Sequence, residues 1–227
     1  MSAFHLYLDS ADLAELRACL PHPLVHGVTT NPTLLRRAGV GRAQLRGLLQ
    51  ACLDLGARQV QAQVFSADTA GMLADAEALL QGFAPGQLVV KIPATSAGFA
   101  AGAALAERGV PVTYTAVYAP EQAHFAALLG AAYAAPYLGR LNDAGVDGLA
   151  LIGRMQALLL QATGGRADGG ATRLLPASVR SRADYLALLA LGVGAITIPP
   201  RLWPELIDHA PTQEAERGFL ADAAALG

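Results

Sequence analysis

Of the sixteen lysines and arginines in this chain, fifteen are arginine, and the single lysine is Lys91. Arginine stays protonated in a protein. A buried lysine loses its proton readily, and the free amine can then attack a carbonyl carbon to form a Schiff base. Lys91 stands near the end of "GQLVVKIPAT" (86–95), a run apolar enough to be a buried strand. Other residues able to do chemistry recur at the ends of similar runs: Asp9, Thr29-Thr30-Asn31, Gln63, Thr115, Tyr137 with Arg140, and Ser178 with Arg180. Each has a plain use alone, as a helix cap, a turn former, a β-former or a solvated charge. Delivered by seven of eight strands to one face around a single amine, they are much harder to explain as independent structural features.

Competing chemistries find little support. His22 and His26 are four apart, but prolines flank His22, so no helical metal pair is expected and no metal is assigned. The G-x-G of "LGVGAITI" precedes a strand and follows a helix, the reverse of a dinucleotide fingerprint, and no G-x-S-x-G occurs.

The elements that must position these residues alternate. Strand patterns fall at 4–9, 26–31, 60–65, 88–93, 111–117, 131–136, 173–178 and 195–199, with amphipathic helical stretches between them. Ser10 and Ser181 stand where helix N-caps belong, and Gly109 and Gly192 where helices stop. Eight strands alternating with helices predict a single-domain (β/α)₈ TIM barrel over residues 1–227, with an extra C-terminal helix at about 212–226. Active sites of such barrels lie at the C-terminal strand ends, where the polar residues above are expected. The tract "TGGRADGGAT" (163–172) reads as a flexible loop.

Apolar residues make up 53% of the chain, enough for a large core, while charged residues make up only 15% against ~25% in an average domain. A surface so poor in charge suits coverage by a second subunit. Net charge is −2 with no basic block, so no nucleic-acid partner is expected. Gly192, Gly194 and Pro199-Pro200 interrupt the longest apolar stretch, which argues against a membrane span. Cys19 and Cys52 form no disulfide framework, and "MSAFHLYLDSAD" lacks signal-peptide character; both suit the cytoplasm.

The motifs "YLDSAD", "GVTTNPTLL", "AQVFSADTAGM", "VVKIPATSAGFAA", "TAVYAPEQA", "APYLGRLNDAG" and "LPASVRS" run the length of the chain. In order and spacing they resemble the transaldolases, and more closely their small bacterial branch, the fructose-6-phosphate aldolases. The resemblance implies a class I aldolase without cofactor, in which Lys91 forms the Schiff base with a ketose phosphate. It assigns catalysis to Lys91, Tyr137, Gln63, Thr115 and Asp9. Substrate contacts go to Asn31, Thr29, Ala135, Arg140, Ser178 and Arg180. A water held by Gln63, Thr115 and Tyr137 would serve proton transfer. Typical transaldolases have glutamate at the position of Gln63, phenylalanine at Tyr137 and asparagine at Thr113, so the resemblance leans to the aldolase branch. Transaldolase activity and a non-catalytic sugar-phosphate-binding barrel are the open alternatives. Relatives of this length assemble as pentamers or decamers, with the last helix packed on a neighbour.

Overall fold

The computed structural model describes residues 4–162 and 172–226; residues 163–171, most of the expected flexible loop, lie outside them. Eight strands run in chain order: β1 (His5–Asp9), β2 (Val25–Thr29), β3 (Gln59–Gln63), β4 (Leu88–Pro93), β5 (Val112–Val117), β6 (Tyr133–Pro136), β7 (Arg173–Leu174) and β8 (Ala195–Ile198). All pair in parallel, in the order β7-β6-β5-β4-β3-β2-β1-β8. Across the remaining seam the Thr197 amide donates to the Pro176 carbonyl at 3.1 Å, so the sheet curls into a nearly closed barrel. Helices cover its outside, as parallel strands require.

Strand alternation sorts the side chains. In β4, Leu88, Val90 and Ile92 face the helices, while Val89 joins Tyr7, Tyr133, Ala135, Leu175 and Ala195 in a cluster inside the barrel. Lys91 shares the inward parity of Val89 and is 3% exposed, which settles where its amine goes. By the same parity Asp9, Thr29, Gln63, Thr113 and Thr115 point inward, above a filled interior.

The base of the barrel is closed by polar side chains. The Tyr7 hydroxyl is 2.7 Å from that of Tyr133 and also donates to Gln59. Tyr133 lies 2.6 Å from His5 Nδ1, and the His5 and His26 rings stack at 3.7 Å. Burial and neighbouring positive charge hold both histidines down to about 4, so they are neutral at ordinary pH.

Helix boundaries follow local chemistry, with one correction. Ser181 caps Arg182–Ala190 by accepting from the Asp184 amide, and Gly109 and Gly192 take the left-handed conformation just past helix ends, at φ +74° and +73°. Ser10, expected as a cap, is not one. The helix Leu13–Arg17 starts later and is capped by Asp12, whose carboxylate accepts from Ala14 and Glu15. Ser10 instead accepts from the Asp12 amide and donates to Glu15, bracing the turn. β7 is also shorter than the expected 173–178, because the next ladder bond from β6 would be donated at position 136, and Pro136 has no N–H. The chain nevertheless stays beside β6 through Leu175 N–H to Ala134 and Ala177 N–H to Pro136, both at 2.8 Å. The last helix, Ala210–Ala225, buries none of its residues and exposes Phe219 and Leu220.

Candidate active site

A cavity of about 380 Å³ opens at the C-terminal ends of the strands, and Lys91 lies on its wall with Asp9, Asn31, Tyr137, Arg140, Ser178 and Arg180. Seven of the residues singled out in the sequence therefore meet in one place. Lys91 Nζ donates to the Thr30 carbonyl at 2.9 Å. Burial disfavours its ammonium form and pulls its pKa below 10.5, while Asp9 pulls weakly the other way. Asp9 keeps some exposure at the cavity floor, yet the protein crowded about its carboxylate raises its pKa; Lys91, Thr29 and Arg140 oppose that shift. The two shifts favour the same state, a free amine beside a carboxyl that holds its proton. That pairing suits addition to a carbonyl, which consumes an amine lone pair and needs a proton for the departing oxygen.

Beneath the floor, the Thr29 hydroxyl donates to Asp9 at 2.7 Å and lies 2.6 Å from the hydroxyl of Thr197. Thr29 is fully buried, so it orients Asp9 from below. Asn31 caps the helix Pro32–Arg37, its carbonyl oxygen accepting from the Leu34 amide at 3.0 Å. That bond commits the oxygen and leaves the amide nitrogen as the donor it offers the cavity.

Tyr137 stands at the end of β6, its hydroxyl 2.8 Å from that of Thr115. Burial raises its pKa, against the opposing pulls of the Thr115 hydroxyl and Arg140. The Arg140 guanidinium lies over the Tyr137 ring at 4.7 Å, and Tyr118 meets the same ring edge-on at 5.9 Å. The phenol ring is thus packed against both a guanidinium and a second aromatic ring. Ala116 and Ser178, each next to a residue of the site, take the left-handed region at φ +56° and +59°. For residues with a side chain this costs energy, and it concentrates where strands end at functional sites. The Ser178 carbonyl accepts from Gly139 N–H at 3.1 Å, which joins the β6 and β7 loops. Arg180 forks onto Asp143 at 2.7 and 2.5 Å. Arg140 and Ser178 are therefore the groups on this arc left open to a ligand.

Two expected residues lie elsewhere. Ala135 is 1% exposed and belongs to the packed layer inside the barrel. Gln63 is the register partner of Lys91 and shares its face of the sheet, but it lines a neighbouring cavity of about 320 Å³ with Pro32, Phe65, Ser66, Pro93 and Thr95. Sequence reasoning missed Thr33, Arg37, Asp143 and Arg201, all on the main cavity. The signal available for Arg201 was its place just after β8, in the "PPR" turn.

Comparison with known proteins agrees along the whole chain. The family model described as transaldolase/fructose-6-phosphate aldolase matches residues 6–226. A protein of Caulobacter vibrioides named "Probable transaldolase" is 35% identical over 222 residues, 98% of this chain and 97% of its own. A second "Probable transaldolase", from Coprothermobacter proteolyticus, is 33% identical over 95% of this chain and 94% of its own. A solved structure from Coccidioides immitis, named for fructose-1,6-biphosphate aldolase, superposes with a TM-score of 0.55. It covers 87% of this chain and 74% of its own at 14% identity, a likeness of fold.

Proposed function

This chain belongs to the transaldolase/fructose-6-phosphate aldolase family, and from that premise we propose that it is a class I aldolase acting on a ketose phosphate, with fructose 6-phosphate as the leading substrate. The observation that carries the reading is the buried Lys91 amine on the cavity wall, biased toward its free form beside Asp9, whose burial shifts it toward the protonated acid. Lys91 adds to the C2 carbonyl, and Asp9 gives the proton that lets the carbinolamine oxygen leave as water. The resulting iminium draws electrons from the C3–C4 bond as the C4 hydroxyl loses its proton. Tyr137, tuned by Thr115 and Arg140, is the acid/base for that step. Arg140 and Ser178 hold the phosphate of the leaving glyceraldehyde 3-phosphate. Protonation of the enamine at C3 and hydrolysis of the imine then release dihydroxyacetone and restore the amine.

The same enamine can instead attack a second aldose phosphate, which is transaldolase chemistry. The names of the curated relatives favour that second reading. Borohydride added during turnover of fructose 6-phosphate is expected to add mass to the peptide containing Lys91, and Lys91→Arg to lose both adduct and turnover. An unmodified peptide under turnover rejects the proposal. Adding erythrose 4-phosphate separates the branches: free dihydroxyacetone in excess supports the aldolase, whereas sedoheptulose 7-phosphate in excess supports the transaldolase. We further propose that the uncovered helix Ala210–Ala225 packs on a neighbouring subunit in a pentamer or decamer. A monomer mass by light scattering would reject that.

A further inference from the structure

Lys91 is held by a residue that the chemistry above does not use. Its Nζ donates to the main-chain carbonyl of Thr30 at 2.9 Å. Thr30 follows β2, and its own two donors converge on one acceptor: the Thr30 amide and the Thr30 hydroxyl donate to the Gln61 carbonyl at 2.9 and 3.0 Å. Gln61 is fixed in turn. Its side-chain oxygen accepts from the Thr113 hydroxyl at 2.9 Å, and Thr113 is the register partner of Lys91 on β5. A circuit of bonds thus leaves the amine, passes from the end of β2 to β3, and returns beside Lys91 on β5. All four residues are buried, and of them only Lys91 lines the cavity.

The Thr30 N–H continues the β2–β3 ladder, but the hydroxyl bond is additional to it. Two bonds to one carbonyl fix how the residue is turned. Asn31 fixes the far side of the next peptide by capping the helix Pro32–Arg37. The Thr30 carbonyl between them has little freedom, and among the described residues no main-chain N–H claims it. Buried main-chain oxygens are normally satisfied by secondary structure. This one is satisfied by the reactive nitrogen.

We propose that the Thr30 carbonyl is the acceptor for the N–H of the Lys91 iminium, and that the Thr30 hydroxyl is the positioning group that aims it. The inference rests on the Schiff-base reading and deepens it. The free amine has two N–H bonds, and giving one to this carbonyl keeps the lone pair off the wall. After attack on C2, one nitrogen proton passes to the new oxygen, which takes a second from Asp9 and leaves as water. The nitrogen then carries a positive charge and a single N–H. A buried oxygen facing that N–H makes a charge-assisted hydrogen bond. The imine therefore stays protonated while it draws electrons from the C3–C4 bond.

Thr30→Val, which keeps the shape and removes the hydroxyl, tests this beside Thr30→Ser, which keeps the hydroxyl. Thr30→Val is expected to lower kcat on fructose 6-phosphate about tenfold, and Thr30→Ser to retain most of the rate. The imine formed with dihydroxyacetone supplies a second reading. Its C=N stretch, picked out by ζ-15N-lysine because Lys91 is the only lysine, shifts in D2O only while the nitrogen is protonated. The pH at which that shift disappears should fall by about one unit in Thr30→Val and stay in place in Thr30→Ser. The ionisable groups that share the cavity with Lys91, Asp9, Tyr137 and Arg140 among them, are the same in all three proteins. An unchanged kcat in Thr30→Val overturns the proposal, as does an iminium that loses its proton at the same pH with and without the hydroxyl. Equal damage in Thr30→Ser and Thr30→Val would assign the effect to packing and overturns it too. In the unmodified protein alone, an imine that shows no D2O shift at neutral pH is enough to reject it. Borohydride trapping keeps the two readings apart. A missing Lys91 adduct in the unmodified protein rejects the Schiff-base chemistry itself; an adduct with no difference between the variants rejects only the role of Thr30.

Discussion

Burial at Lys91 makes a prediction with a definite sign. The folded chain binds its proton less tightly than an unfolded one, whose lysine titrates near 10.5. Imine formation should therefore rise with pH and reach half its maximum well below 10.5; a midpoint at the ordinary lysine value would contradict the site described. The same shift destabilises the fold, because below 10.5 the unfolded chain binds the proton more tightly, and stability climbs as pH rises toward that value. Lys91→Met is accordingly expected to abolish activity while raising Tm, by about 2–4 °C for each kcal/mol relieved in a domain of this size. A Tm that falls would show that the bond to the Thr30 carbonyl outweighs the cost of burying the amine. Lys91 was legible in the sequence because its type is unique in the chain. Arg37 and Arg201 were not, since arginine is common here and both stand beyond the strand ends, where parity along a strand no longer tells which way a side chain points.

The loops after β6 and β7 work as one element, and Gly139 is the joint between them. A β-carbon there would come within 2.5 Å of Arg180 Nε and 2.6 Å of the Ser178 carbonyl oxygen. Gly139→Ala should push the two loops apart, raising KM for the phosphorylated substrate tenfold or more with a smaller effect on kcat. Steady-state kinetics check this, and an unchanged KM would separate the joint from phosphate binding. Most elements could be read directly from the sequence. In "LVVKIP" the parity that buries Leu88, Val90 and Ile92 against helices turns Lys91 inward. The failures were at the ends of elements. Asp12 displaced Ser10 as a cap because its carboxylate reaches two amides, and Pro136 in the neighbouring strand cut β7 short. Gln63 and Ala135 show a related gap. Parity turned Gln63 toward the barrel axis, but which of two adjoining cavities it lines depends on how several strand ends meet. Ala135 lies in the packed layer inside the barrel, and no local pattern tells how far along the barrel an inward side chain sits.

At the scale of the whole molecule the base of the barrel sets acid stability. His5 and His26 are held down to about 4, against 6.5 in an unfolded chain. The unfolded chain therefore takes up protons first as pH falls. The stability these histidines contribute is complete above pH 6.5 and declines between 6.5 and 4. Thermal melts across that window should show Tm falling, and His5→Gln with His26→Gln should flatten the decline; a slope that persists unchanged would assign it to other groups. The filled interior has a kinetic corollary as well. With tyrosines and stacked imidazoles packed across the bottom, the cavity around Lys91 opens at the C-terminal ends of the strands. On the proposed aldol reading, the aldehyde released by bond cleavage leaves through the mouth by which water or the next aldehyde arrives, so each small sugar obstructs the one that follows it.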